Sequence, residues 1–214
     1  MHAATIESGD WWARPRGEES SRWIANYQAS VGHRHRTVIS QIVQELGATS
    51  LLEVGCHCGP NLIRLAQDHL TLQCYGLDAN ADSITAGQQW VARAGLGDRV
   101  ELKPGRFPVA TEKFPTGAFD VVLSCYSLAY IAPVDLDAAL YEIGRLATHA
   151  VILAEPQVFQ GTATTRQTLG GYAEWQHPYQ ATVPWIATLR HRRVRVVPVD
   201  PPVDALSAVL VLTQ

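Results

Sequence analysis

The stretch Leu51-Leu52-Glu53-Val54-Gly55-Cys56-His57-Cys58-Gly59-Pro60-Asn61 decides how the rest of the chain is read. Residues 51–54 are a short apolar run of the kind that forms a buried strand. Gly55 ends that run. Pro60 opens a helix carried by Leu62, Ile63, Leu65 and Ala66, proline being well tolerated at a first helical position. The turn between them is rich in glycine, which has no Cβ and lets backbone approach a ligand closely.

Downstream, residues 72–77 read as a second strand closed by Asp78, and a helix starts at Asp82 or Ser83 and runs to about 94. Residues 100–102, 119–124 and 150–154 read as three further strands, with a helix over 135–146. Strand and helix alternate, which argues for a parallel sheet covered on both faces. Upstream, a helical pattern begins near Ser21 with Trp23, Ile24 and Tyr27 on one side. It resumes through Val38, Ile39, Ile42, Val43 and Leu46, and Gly47 ends it. The first twenty residues, with Trp11, Trp12, Pro15 and Gly17, read as an irregular arm. After Glu155-Pro156 a polar, aromatic segment extends to about Tyr179, followed by a helix over 181–190. Two β-branched runs, 194–199 and 208–212, close the chain as paired strands. The expected fold is α/β: a single doubly wound, mostly parallel seven-stranded sheet with helices on both faces, an N-terminal helical arm and an antiparallel C-terminal strand.

Composition narrows the function. The 214 residues are 47% hydrophobic, enough for a sizeable core without a disulfide framework. A formal net charge of −3 offers no basic excess for a polyanion, so nucleic acid is not an expected partner. Two basic clusters, His33-Arg34-His35-Arg36 and Arg190-His191-Arg192-Arg193, read as solvated helix ends or loops in preference to phosphate patches. Cys56 and Cys58 flank His57, but zinc needs a second ligand pair at suitable spacing and none follows, so no metal is expected. Reduced thiols fit a cytoplasmic setting. No leader-like segment and no apolar run of roughly 18 residues appears, so no membrane span is expected.

Asp78 lies 25 positions after Glu53, at the end of the second strand, where an acid can accept hydrogen bonds from ribose hydroxyls. The dinucleotide pattern G-x-G-x-x-G begun at Gly55 fails at His57 and Pro60. The spacing G-x-G-x-G after an acid is met at Glu53, Gly55 and Gly59, with His57 off pattern. Over residues 51–156 the sequence resembles the class I S-adenosylmethionine-dependent methyltransferases. The resemblance implies that Glu53, Gly55, Cys56, His57, Gly59 and Asn61 cradle the methionine part of S-adenosylmethionine. It implies that Asp78, followed by Ala79, holds the ribose, that Arg106 and Phe107 flank the adenine, and that Ser124 lines the cofactor near the methyl group. Two departures stand out. Arg106 occupies a position where the family often has an aspartate that accepts from the adenine amino group, and arginine cannot accept. His57 replaces the middle glycine, which is expected to give ordinary dihedrals and a wider turn.

On this reading the chain is one domain: 1–47 an N-terminal arm and helix, 48–156 the cofactor-binding core, and 157–214 a substrate-side insertion with the C-terminal strands. Methyl transfer from an activated sulfonium needs alignment above all, and a base only if the acceptor must lose a proton. The expected acceptor is a small or medium-sized organic molecule. Trp12, Trp23, Tyr27, Tyr126, Tyr130, Trp175 and Tyr179 are its candidate contacts, and His177 the candidate base. Each aromatic taken singly reads as core or interface packing in preference to a contact, and it is their concentration in irregular segments that favours a pocket lining. A nicotinamide-dependent oxidoreductase and a non-catalytic binding module of methyltransferase fold stay open, as does the oligomeric state, a homodimer included.

Overall fold

The first half of the chain lays down helices α1 (Ser8–Ala13), α2 (Glu18–Ala29) and α3 (Arg34–Leu46), then strand β1 (Ser50–Val54), α4 (Pro60–Asp68), β2 (Gln73–Asp78), α5 (Ala81–Arg93) and β3 (Val100–Pro104). The second half adds β4 (Phe119–Cys125), α6 (Pro133–Leu146), β5 (Ala147–Ala154), β6 (Thr165–Leu169), β7 (Tyr172–Gln176), α7 (Tyr179–Thr182), β8 (Arg193–Val203) and β9 (Leu206–Thr213). The computed structural model describes residues 8–14, 17–157, 163–169, 172–203 and 206–214.

Seven strands form one sheet in the order β3-β2-β1-β4-β5-β9-β8. The first five pair in parallel, while β9 runs antiparallel to both β5 and β8. This is the α/β sheet with an antiparallel terminal strand that the sequence pattern leads one to expect. Successive side chains of a strand face opposite ways, and the core divides accordingly. Leu51, Leu123 and Ile152 point into one apolar layer with Ile39, Ile42, Leu62 and Ile63 of the helices. Leu52, Val122 and Val151 point into the other with Leu140 and Ile143 of α6. Near-continuous apolar strands are what burial on both faces requires.

The helix boundaries have local causes. Gly47 closes α3 at φ 61, a left-handed conformation that glycine adopts without a Cβ penalty. Asn80, not Asp82 or Ser83, caps α5: its side chain accepts the Ser83 N–H at 2.9 Å. Two features depart from expectation in the tail. The segment after β5 carries a separate antiparallel hairpin, β6–β7. The helix expected over 181–190 is only the single turn of α7 followed by a 3-10 turn at Val183–Trp185, because Pro184 cannot continue the α-helical ladder.

Candidate active site

The parallel strands deliver their carboxyl ends to one edge, and the turn after β1 lies there. Gly55 and Gly59 take φ 72 and 76. His57 corrects the expectation of ordinary dihedrals: it also adopts a positive φ, 50, which for a residue with a Cβ costs about 1–2 kcal/mol. Three contacts offset that cost. Its N–H donates to Asp78 Oδ2 at 2.8 Å, its Nε2 lies 2.9 Å from Ser83 Oγ, and its ring stacks on Tyr27 at 4.1 Å between centroids.

Asp78 also accepts the Asn80 N–H through Oδ1 at 2.8 Å. A carboxylate has about four lone-pair sites, so two backbone donors leave room for ligand hydroxyls. Burial raises its pKa, against the pull of those two hydrogen bonds.

On the neighbouring strand Glu53 is buried, and Asn61 Nδ2 donates to its Oε1. Its Oε2 is buried without a hydrogen-bond partner. Burial pushes the Glu53 carboxyl up to about 7, opposed by the Asn61 hydrogen bond and the charge of Arg36. Arg36 comes from the first turn of α3 and is itself buried; it donates to Asn61 Oδ1, to the Ser30 carbonyl at 2.9 Å and to Ser30 Oγ at 2.6 Å. An arginine and an unsatisfied carboxylate, joined through Asn61, thus share one wall.

The loop after β4 supplies the opposite wall. Tyr126 takes φ 53, and its hydroxyl donates to the Val203 carbonyl at 2.7 Å. Glu155, just past β5, fixes this loop. Its carboxylate accepts from Ser124 Oγ at 2.7 Å and from the N–H groups of Ser127, Leu128 and Ala129. Burial pushes Glu155 up to about 7 in spite of those four donors. The loop lies so close to the first turn that a Cβ on Gly55 would stand 2.0 Å from Ser127 Oγ. Only glycine fits there.

Two cavities open along this edge. The first, about 300 Å³, runs over Asp78, Ala79, Gly105, Arg106, Phe107 and His57. The second, about 390 Å³, is lined by Trp23, His33, His35, Arg36, Glu53 and Asn61, together with Cys56 and Glu174 of β7. They share Tyr27, Gly55, Cys125, Tyr126 and Tyr130. Helix α1 covers the first cavity: Trp12 packs edge-on against Trp23 and at 5.2 Å from Tyr130, and its carbonyl accepts from Asn80 Nδ2.

Most residues singled out from the sequence therefore converge: Glu53, Gly55, Cys56, His57, Asn61, Asp78, Ala79, Arg106 and Phe107, with Trp12, Trp23, Tyr27, Tyr126 and Tyr130 around them. Five do not line either cavity. Gly59 sits against Leu102, where a Cβ would stand 3.2 Å away. Ser124 is buried on Glu155. Trp175 is half-buried, with Arg166 over its ring. Tyr179 is wholly buried in the apolar layer of α6. His177 is likewise fully buried, donating through Nε2 to the Ile131 carbonyl at 3.1 Å and accepting from Thr164 Oγ1 through Nδ1 at 3.2 Å. Both ring nitrogens are engaged and burial lowers its pKa, so this residue is not placed to take a proton from a ligand in either cavity.

Sequence reasoning missed Arg36 and His35, read as a solvated basic cluster, and Glu155. The available signal was the spacing: His35, Arg36, Ile39, Ile42 and Val43 recur at three and four, so the basic pair lies on the buried stripe of α3. Cys56, Cys58, Cys74 and Cys125 are free and buried, and burial raises the thiol pKa of each. Among the described residues no three His, Cys, Asp or Glu side chains converge as a metal-ligand set, and no described helix is long and apolar enough to cross a membrane.

Comparison with known proteins closes the question of family. Residues 51–149 match the family model described as a methyltransferase domain. The chain is 30% identical over 137 residues to catechol O-methyltransferase of Sus scrofa, covering 61% of this chain and 72% of that one. It belongs to the class I S-adenosylmethionine-dependent methyltransferases. Catechol O-methyltransferase B of Danio rerio is 28% identical over 145 residues, covering 65% of this methyltransferase, which spans about half of that relative, 52%. In fold, magnesium protoporphyrin IX methyltransferase from Synechocystis, solved with bound S-adenosylmethionine, superposes with a TM-score of 0.67 at 16% identity over the full length of both chains. S-adenosylmethionine is accordingly the cofactor, and the nicotinamide alternative falls away. The cavities fit that cofactor: Asp78 retains acceptor capacity for ribose hydroxyls, and an amino-acid zwitterion would satisfy both the orphaned Glu53 Oε2 and the remaining N–H groups of Arg36.

Proposed function

We propose that this methyltransferase transfers a methyl group to a hydroxyl of a small organic acceptor held in the second cavity. The carrying observation is that the two cavities share the wall formed by Gly55, Tyr126 and Tyr130, so a cofactor lying along the first can reach Glu53 and Arg36 of the second with its methionine end and leave the rest of that cavity, beside Trp23 and His33, to an acceptor. A mainly apolar cavity with a few directed polar groups suits a small ligand. The names of the curated relatives support oxygen as the acceptor atom, and the cavity speaks against a module that only binds cofactor.

The cofactor supplies an electrophilic methyl on a sulfonium. Asp78 takes the ribose hydroxyls, Phe107 the adenine face, and Glu53 and Arg36 the amino and carboxylate groups of the methionine end. Asn61 keeps those two charges at fixed spacing. Glu155 holds Tyr126 and Tyr130 against the acceptor by fixing the loop between them. Alignment of this kind is the main source of rate in a displacement whose leaving group is already activated. Helix α1 and the aromatic cluster exclude water.

Transfer of labelled methyl from S-adenosylmethionine to a panel of hydroxylated, amino and thiol small molecules tests the reading. Label in ether products supports it. Label confined to amine or thioether products, or to RNA, DNA or protein run beside the panel, overturns it.

A further inference from the structure

Arg106 and Phe107 come from the turn after β3 and line the first cavity. A guanidinium has donors only. The exocyclic amino group of adenine is itself a donor, so the arginine leaves that group unmatched. A carboxylate from elsewhere in the chain stands beside it. Asp10 of α1 lines the same cavity, and its Oδ1 accepts from Arg106 Nη1. Among the described residues its Oδ2 makes no hydrogen bond, and the side chain is half-exposed. Helix α1 is fixed towards its C-terminal end, where the Trp12 carbonyl accepts from Asn80 Nδ2 at 2.9 Å and the indole packs on Trp23 and Tyr130.

We infer that Asp10 reads the adenine: its Oδ2 accepts a hydrogen bond from the exocyclic amino group while Oδ1 stays on Arg106. The inference rests on the proposed function, which lays adenine on Phe107, and it names the residue that recognises the edge of that base. Arg106 lowers the Asp10 pKa, through the hydrogen bond first and through its charge second. The carboxylate is therefore ionised at neutral pH and offers lone pairs only. A base with a ring carbonyl in place of the amino group would set oxygen against that carboxylate. Asp135, in the first turn of α6, also lines the cavity. Among the described residues no hydrogen bond or ion pair ties Asp135 to the turn after β3, whereas Asp10 is bonded to that turn directly.

The test uses the full chain and two ligands, S-adenosylhomocysteine and the same compound with hydrogen in place of the 6-amino group, each titrated by calorimetry. The wild-type protein should prefer S-adenosylhomocysteine about tenfold. Asp10→Ala should bring the ratio of the two affinities close to one, and Asp10→Asn, which keeps an acceptor oxygen, should recover part of it. Asp135→Ala should leave the ratio unchanged. A role confined to holding α1 in place would weaken both ligands alike and leave the ratio unmoved. Asp10 and Asp135 are exposed, so these substitutions leave folding intact. A ratio near one in the wild type, a ratio unchanged in Asp10→Ala, or a ratio lost in Asp135→Ala overturns the inference while leaving the cofactor reading standing. Failure of S-adenosylhomocysteine to bind the wild-type protein overturns the proposed function itself, and this inference with it.

Discussion

Arg106 Nη1 donates to Asp10 Oδ1 at 2.5 Å, tying the turn after β3 to helix α1 across the mouth of the first cavity. If α1 covers bound cofactor, this pair is placed to act as its catch. The Arg106 hydrogen bond, and then its charge, lower the Asp10 pKa. An exposed ion pair adds little to global stability. Arg106→Asp should therefore leave the melting temperature unchanged and speed S-adenosylhomocysteine release several-fold. The double swap Asp10→Arg with Arg106→Asp should restore slow release in stopped-flow displacement. Release unchanged in the single variant would show that α1 does not gate the cavity.

Asp78→Ala should weaken S-adenosylhomocysteine binding by about 1.5–3 kcal/mol, since hydrogen bonds to a charged acceptor are lost. Asp78 also holds the His57 and Asn80 N–H groups, so Asp78→Asn, which keeps one acceptor oxygen, should lose less. Calorimetric titration of the three proteins gives the order. Equal affinities would remove the assignment of Asp78 to the ribose.

The two buried glutamates make pH a probe of the site. Glu53 and Glu155 are each pushed up to about 7 from an ordinary value of 4.5 by burial. A carboxyl whose folded pKa is raised contributes stability that is fully present below 4.5 and is lost as pH rises through about 7. The ligand-free protein should accordingly melt at a lower temperature at pH 8 than at pH 5.5. If Glu53 meets the ligand's ammonium, binding favours its carboxylate and expels a proton, so S-adenosylhomocysteine affinity should rise from pH 6 to 8. Calorimetry in buffers of different ionisation enthalpy counts that proton, and no release would separate Glu53 from the ammonium.

Glu155→Ala should be strongly destabilising, by about 3–5 kcal/mol, because it strands one hydroxyl and three backbone N–H groups in a buried loop. Glu155→Gln keeps an acceptor and should fold. Its melting temperature should fall only slightly, while methyl transfer drops through the displaced Tyr126 and Tyr130. Full transfer in the glutamine variant would show that the loop is held by other means.

His177→Ala should behave as a core lesion. Removing the ring deprives the Ile131 carbonyl and Thr164 hydroxyl of their partner and leaves a void, costing about 2–4 kcal/mol. Transfer per folded molecule should be unaffected, and the pH–rate profile should keep its shape. A lost limb of that profile would return His177 to the chemistry.

The sheet was legible because the central parallel strands β1, β4 and β5 carry apolar runs, β2 ends on aspartate and β3 alternates at the edge, and because α3 and α4 keep their spacing. The ribose acid and the glycine turn were legible for the same reason: they sit at strand ends, where the order of elements places any ligand. The β6–β7 hairpin was not, since Arg166, Gln167 and Glu174 interrupt any clean alternation within five-residue strands. Nor was the place of Arg36 and His35 on the wall of the second cavity, because charge pattern reports what a residue is and only tertiary packing reports that α3 begins over the strand ends. Trp175, His177 and Tyr179 misled in the opposite sense: aromatics in an irregular segment look like a pocket lining, and here Tyr179 and His177 anchor that segment in the core.

The close approach of Gly55 and Ser127 leaves no space for a side chain between the turn after β1, which lines both cavities, and the loop after β4. A shift of either loop presses on its neighbour, so occupancy of one cavity should be felt in the other. Such heterotropic coupling is reciprocal by thermodynamic necessity: whatever factor the bound nucleoside contributes to affinity for the acceptor, the acceptor must return to the nucleoside. A single missing Cβ thereby makes acceptor affinity and nucleoside affinity one linked quantity, to be read by titrating each ligand in the presence and absence of the other.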